Sequence, residues 1–128
     1  MQRGKIQNRK RAKQIKDFSG LRWDKITPTD LDAFVEFDNQ IFIFIELKYR
    51  EKQIDGGQKL AFERLVDIVG KEKEAILIVA RHEVDDPEKD IDAANCEVIK
   101  YRFREKWMPL SHSEKLKDFC DRFISMKK

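Results

Sequence analysis

The residues best placed to do chemistry stand at the end of the most apolar stretch of the chain. Ile41-Phe42-Ile43-Phe44-Ile45 is followed at once by Glu46-Leu47-Lys48. β-Branched and aromatic residues on both parities predict a strand covered on both faces, the centre of a sheet. Glu46 and Lys48 are two apart, so they point to one face. Charges there are costly unless paired or bound to an ion, and the plain alternative is a strand tip in water. A second carboxylate upstream decides between the two.

Asp30 to Phe37 predicts a strand with Leu31, Ala33, Val35 and Phe37 on one face and Asp30, Asp32, Phe34 and Glu36 on the other. Asp38-Asn39-Gln40 is a turn cluster between this strand and the central one, which makes a hairpin. A three-residue loop pairs Phe37 with Ile41. Counting outward then sets Asp32 opposite Glu46 and Asp30 opposite Lys48. A two-residue turn would slip the register by one and turn Asp32 to the other face.

In the first register the two carboxylates have Cβ atoms about 5 Å apart. At an effective dielectric of ~20 they repel by roughly 3 kcal/mol. Such a pair persists by sharing a proton or by binding a cation. Carboxylate oxygens completed by water and phosphate suit Mg²⁺. Lys48 adds an ammonium on the same face. A cation to polarise a phosphodiester and an ammonium to steady developing charge are the parts that phosphodiester hydrolysis needs.

The other elements must position this set. Residues 7–18 predict a short basic helix with Ile15 and Phe18 as anchors, ended by Ser19-Gly20. Leu21 to Ile26 alternates apolar and polar and predicts a strand or edge segment, broken by Pro28. Asp55 predicts the N-cap of a helix over 57–69 closed by Gly70, with Ala61, Phe62, Leu65, Val66 and Val69 inward. Gln58 lies near the start of that inward face. Ala75 to Ala80 is a second buried strand, so strand–helix–strand predicts a right-handed crossover between parallel strands. Asp85-Asp86-Pro87 predicts a short acidic helix to about Asn95.

Glu97 to Arg104 predicts a strand with Ile99, Tyr101 and Phe103 on one face and Val98, Lys100, Arg102 and Arg104 on the other. Lys106 continues that second parity. Ser111-His112-Ser113-Glu114 has capping-box spacing before a helix carrying Leu116, Phe119, Cys120, Phe123 and Ile124. Tyr49 reads equally as a stacking or a packing residue, Trp107 as a packing anchor, His82 as a loop residue and His112 as part of the cap.

At 128 residues, 41% hydrophobic, the chain predicts one globular domain, 1–128, with no membrane-spanning run and no secretory h-region. Cys96 and Cys120 form neither a disulfide framework nor a zinc pattern, and predict free thiols in a reducing compartment. Residues 1–16 carry seven cations and no acid, which leaves the remainder at −4. A basic arm or helix of this kind suits a polyanion, above all nucleic acid. Arg9, Lys10, Arg11 and Lys13 are its candidate contacts, with Lys100 and Arg102 as further phosphate contacts on their strand.

Asp32, then Glu46-Leu47-Lys48 after an apolar strand, with Gln58 on the next helix, resembles the PD-(D/E)XK nuclease superfamily. Pro28-Thr29-Asp30-Leu31-Asp32 and Gly57-Gln58-Lys59-Leu60-Ala61 resemble its small stand-alone phage members. The resemblance covers about residues 12–104. It implies an α/β fold with a restriction-endonuclease-like core, a central mixed β-sheet flanked by helices. It implies Asp32, Glu46 and the Leu47 carbonyl as ligands of Mg²⁺ or Mn²⁺, Lys48 as the catalytic lysine and Gln58 as a supporting site residue.

Two departures stand out. The proline is not adjacent to the acid, so Asp30 competes with Asp32, and the pairing count favours Asp32. The glutamate that many members carry on the first helix has no counterpart in residues 1–16. The expectation is a metal-dependent deoxyribonuclease, an endonuclease, in the cytoplasm of a phage-infected or prokaryotic cell. A branched DNA substrate would imply a homodimer. The competing reading is a nucleic-acid-binding module that keeps the fold without the catalysis.

Overall fold

The computed structural model describes residues 4, 5 and 7–128. Its elements are α1 (Arg9–Ala12), β1 (Ala33–Phe37), β2 (Ile41–Tyr49), α2 (Gly56–Val69), β3 (Glu74–His82), β4 (Glu97–Phe103), β5 (Lys106–Pro109) and α3 (Leu116–Lys127). The strands form one five-stranded sheet in chain order. β2 and β3 run parallel and every other neighbouring pair is antiparallel. The chain is therefore α/β, with a mixed sheet flanked by helices.

The parallel pair is the heart of the molecule because its residues are apolar on both parities. Ile41, Ile43, Ile76, Leu77 and Ile78 are fully buried. Each such side chain contributes about 1.5–3 kcal/mol when removed from water. On one face Ile41, Ile43, Ile45, Ile76 and Ile78 meet Leu116, Phe119 and Phe123 of α3. On the other, Phe44, Leu77 and Val79 meet Phe62 and Val66 of α2, with Ile54 sealing the edge. Glu46 and Lys48 share parity with Phe44, so they face the α2 side. α2 is the crossover that joins the parallel strands, and Asp55 caps it by accepting from Gln58 N at 2.9 Å.

The β1–β2 hairpin has the three-residue loop. Phe37 pairs with Ile41 and Ala33 with Ile45. Asp38 and Asn39 both take left-handed φ values, 52° and 58°, and Gln40 N closes the turn on Phe37 O at 2.9 Å. Asn and Asp tolerate that region better than other side-chain-bearing residues.

Several expected elements differ. The basic helix is one turn, Arg9–Ala12, and its supposed anchors Ile15 and Phe18 are 95% and 50% exposed. Two side chains with no sheet beneath them cannot hold a longer helix, and short helices are unstable in water. Leu21 to Ile26 is not a strand but a tight turn in which only Trp23 and Ile26 pair. β1 begins at Ala33, three residues later than expected, and Ala61 and Leu65 lie outside the buried face of α2. The acidic stretch after Asp85 holds only a 3₁₀ turn at Ala93–Asn95, because it lacks an apolar face to bury.

A bulge in the β3–β4 ladder shifts the register between Val79↔Lys100 and Ala80↔Val98. That extra residue moves Val98 into the α3 cluster beside Tyr101 and Phe103, whereas simple alternation assigned it to the opposite face. Arg104 and Glu105 form the turn of a further hairpin, with φ of 52° and 66°, and Lys106 begins β5. α3 starts at Leu116 without a side-chain cap; Glu114 is instead held by Arg122 at 2.9 Å. Among the described residues no helix is long and apolar enough to cross a membrane.

Candidate active site

β2 sets Glu46 at the end of the core, facing Gln58 at the start of α2. Glu46 is 3% exposed and is the one buried charged side chain among the described residues. Its carboxyl is pushed up to about 8, first by burial and then by the hydrogen-bonding and repulsive neighbourhood of Asp32, with a smaller push from Asp30; Lys48 opposes the shift. At neutral pH Glu46 therefore holds a proton that a cation would replace.

Asp32 reaches this point from just outside β1. Extending the Ala33↔Ile45 pairing by one residue sets it across from Glu46. Its Oδ2 accepts from Leu47 N at 2.7 Å, so the carboxylate stands where another β1 residue would have continued the ladder. In an antiparallel ladder the N–H and C=O of one residue point to the same side. The Leu47 carbonyl is thus directed at the Asp32 side, where β1 has no further partner.

Gln58 ties the cluster together from α2. Its Nε2 donates to Glu46 Oε2 at 3.1 Å, and its Oε1 accepts from Lys48 Nζ at 3.1 Å. One amide so fixes both ends of the Glu46–Lys48 pair. The cap at Asp55 in turn fixes the backbone from which Gln58 projects. Lys48 has two further ammonium hydrogens to offer.

The donor set fits a small, hard divalent cation. Two carboxylates and a backbone carbonyl leave positions for water and phosphate, which is how Mg²⁺ is commonly held. Among the described residues no group of three or more His, Cys, Asp and Glu side chains is arranged around a common point for a metal. Softer ions that favour imidazole or thiolate have nothing to bind here.

Among the described residues none of the cationic candidates is hydrogen-bonded to Glu46, Lys48 or Gln58, although Lys100 stands in the same cross-strand row as Glu46, two strands away. Arg9 pairs with Asp90 and Lys13 with Glu88, so the basic arm rests on the acidic loop that follows β3. Lys10 and Arg11 form no ion pair among the described residues. Arg3 lies outside the described residues. Lys100 sits 4.8 Å from the centroid of Trp107, and burial lowers its pKa first, with Lys59 adding to the effect. Arg102 is bound by Asp67 at 2.7 Å and Glu63 at 3.6 Å, which fastens β4 to α2.

Two features escaped the sequence reading. Tyr49 and Arg50 both bind Asp85, and the ring of His82, the last residue of β3, lies 5.6 Å from the Tyr49 ring. A cleft of about 480 Å³ also opens between the 25–30 segment and the start of α2, with Asp30 and Gln58 among its walls. The Pro28-Thr29 dipeptide signalled a chain break at that place, and nothing in the pattern showed that the break would leave a hollow.

The chain matches no family model, and neither a curated protein nor a solved structure matches it significantly.

Proposed function

We propose that this chain is a metal-dependent nuclease that hydrolyses phosphodiester bonds in DNA, an endonuclease on a restriction-endonuclease-like core of the PD-(D/E)XK type. The observation that carries this reading is the buried Glu46 carboxyl, set against Asp32 and tied through Gln58 to Lys48. A fold gains nothing from burying one carboxyl against a second, exposed one beside an ammonium unless something binds there.

Asp32, Glu46 and the Leu47 carbonyl would hold Mg²⁺ or Mn²⁺. The bound ion would supply charge neutralisation at the scissile phosphate and a more acidic water. Lys48 donates from Nζ to the attacking water or to the phosphoryl oxygen that gains charge. Gln58 holds that ammonium in place through its Oε1 and keeps Glu46 oriented through its Nε2. Burial of Glu46 strengthens each of these interactions over its value in water. Lys10 and Arg11 are the arm cations best placed for phosphates, since no acid neutralises them among the described residues. Arg102 is already committed to Asp67 and Glu63 and stands outside the proposed DNA-binding surface.

Nicking of a supercoiled plasmid tests the reading. Cleavage is expected with Mg²⁺ or Mn²⁺, none with EDTA, and none from Lys48→Ala. DNA binding by the wild type without cleavage under any divalent ion would favour the binding module instead.

A further inference from the structure

The cleft beside the cluster has a chemistry of its own. Its volume of about 480 Å³ suits a small organic group, within the usual range of ligand pockets. Ile26, Pro28 and Ala61 give it apolar wall, Lys25, Thr27 and Thr29 give it an ammonium and two hydroxyls, and Asp30 and Asp55 give it carboxylates that can accept from the amino and imino groups of a base. Gln58 belongs both to this wall and to the Glu46–Lys48 bridge. Whatever fills the cleft therefore touches the residue that bridges Glu46 and Lys48.

The turn over 23–26 adds a second, independent feature. Trp23 and Ile26 exchange both backbone hydrogen bonds, at 2.9 and 3.0 Å. Opposed residues in such a pair project to one face. Trp23 therefore stands on the same face as Ile26, which lines the cleft. Both are uncovered, Trp23 at 63% and Ile26 at 69% exposure. Arg22 Nε braces the turn on Asp24 O at 2.8 Å. An uncovered indole on the face of a cleft-lining residue, with a lysine at the rim and hydroxyls and carboxylates within the cleft, has the parts of a nucleotide site. The indole offers a π-face to a base, the ammonium a partner for phosphate, and the hydroxyls hydrogen bonds to a base edge or sugar. A stacked duplex presents phosphates outward and keeps its bases inside, so it offers no base to the indole and sets its phosphates against the cleft's two carboxylates.

We propose that this cleft, with Trp23 as its stacking surface and Lys25 at its rim, takes an unstacked nucleotide adjoining the scissile phosphate, so that the substrate is DNA with an unpaired segment at the cleavage point. The inference rests on the nuclease reading for its placement but is tested without catalysis. Fluorescence anisotropy in EDTA compares a labelled oligothymidylate with a blunt duplex of equal length. The single strand is expected to bind more tightly. Trp23→Ala is expected to weaken that binding by roughly tenfold while leaving the duplex unchanged, and Trp23→Phe to recover most of the loss. Lys25→Ala is expected to reduce the salt slope of single-strand binding by about 0.7.

Equal affinity of wild type and Trp23→Ala for the single strand overturns the proposal, as does a preference for the blunt duplex. Plasmid nicking by both proteins at one rate, with equal single-strand affinity, would remove the cleft and leave the nuclease standing. Tight, Trp23-dependent single-strand binding with no cleavage under any metal would keep the cleft and remove the nuclease.

Discussion

Glu46 is the buried centre of the candidate site, and its carboxyl has a consequence for stability. Its folded pKa, about 8, lies above its ordinary value of 4.5. Between those values the folded chain holds a proton that the unfolded chain has lost. Stability in metal-free buffer is therefore expected to fall as pH rises from about 4.5 to about 8. Glu46→Gln removes that dependence because the amide has no proton to lose. Urea melts of both proteins across this range, in EDTA, check the difference in slope. Added Mg²⁺ is expected to raise the wild-type midpoint at pH 8 more than at pH 6, since the ion must displace the proton. Asp32, Glu46, Lys48 and Gln58 were legible in the sequence because each depends on local rules only. Strand parity set Glu46 and Lys48 on one face, the turn length set Asp32, and the cap at Asp55 set Gln58. The Lys25 to Thr29 wall was illegible because it forms where the chain breaks around Pro28, and no local pattern shows that this break packs beside α2.

Among the elements, the Asp38–Asn39 turn decides whether the two carboxyls meet. Both residues have positive φ, where a β-branched side chain is strained. Asn39→Val is expected to cost about 1–2 kcal/mol in urea denaturation, and Asn39→Gly to be nearly neutral. Inserting one residue into this loop is expected to do more than destabilise, because a slipped register turns Asp32 away from Glu46. The parallel pair β2–β3, the crossover helix α2 and the α3 stripe were readable because their apolar spacing is continuous and their packing leaves no choice. The segments at 7–18, 21–26 and 85–95 were misjudged for one shared reason. Their local propensity had no buried face to support it, and propensity alone does not hold a short helix or a lone strand. The bulge at Val79–Ala80 is a different failure: it is a property of a pair of strands, and no single strand's pattern records it.

Over the whole molecule, charge is divided between the basic arm and an acidic remainder. Three of the arm's cations, Lys5, Arg9 and Lys13, are paired with Asp90 and Glu88. These pairs are exposed, and such pairs are weak and screened by salt. A polyanion can therefore take the arm from the acidic loop. Asp90→Asn combined with Glu88→Gln is expected to raise duplex affinity several-fold at low salt, with the gain vanishing at high salt. Removing residues 1–16 is expected to lower affinity and flatten the salt slope by about 0.9 for each phosphate that the arm no longer neutralises. Filter binding across a salt series measures both. The asymmetry itself was plain from the sequence, whereas the docking of the arm on the 88–90 loop needed the fold, since those residues lie far apart in the chain.

In the proposed function the Asp32–Glu46 pair serves hydrolysis. Its most direct test is the single-turnover rate of one labelled DNA substrate with saturating Mg²⁺, compared between wild type and Glu46→Gln at equal bound fraction. The variant is expected to be slower by at least about 100-fold while binding DNA as well as the wild type does. Equal rates for the two proteins would contradict it.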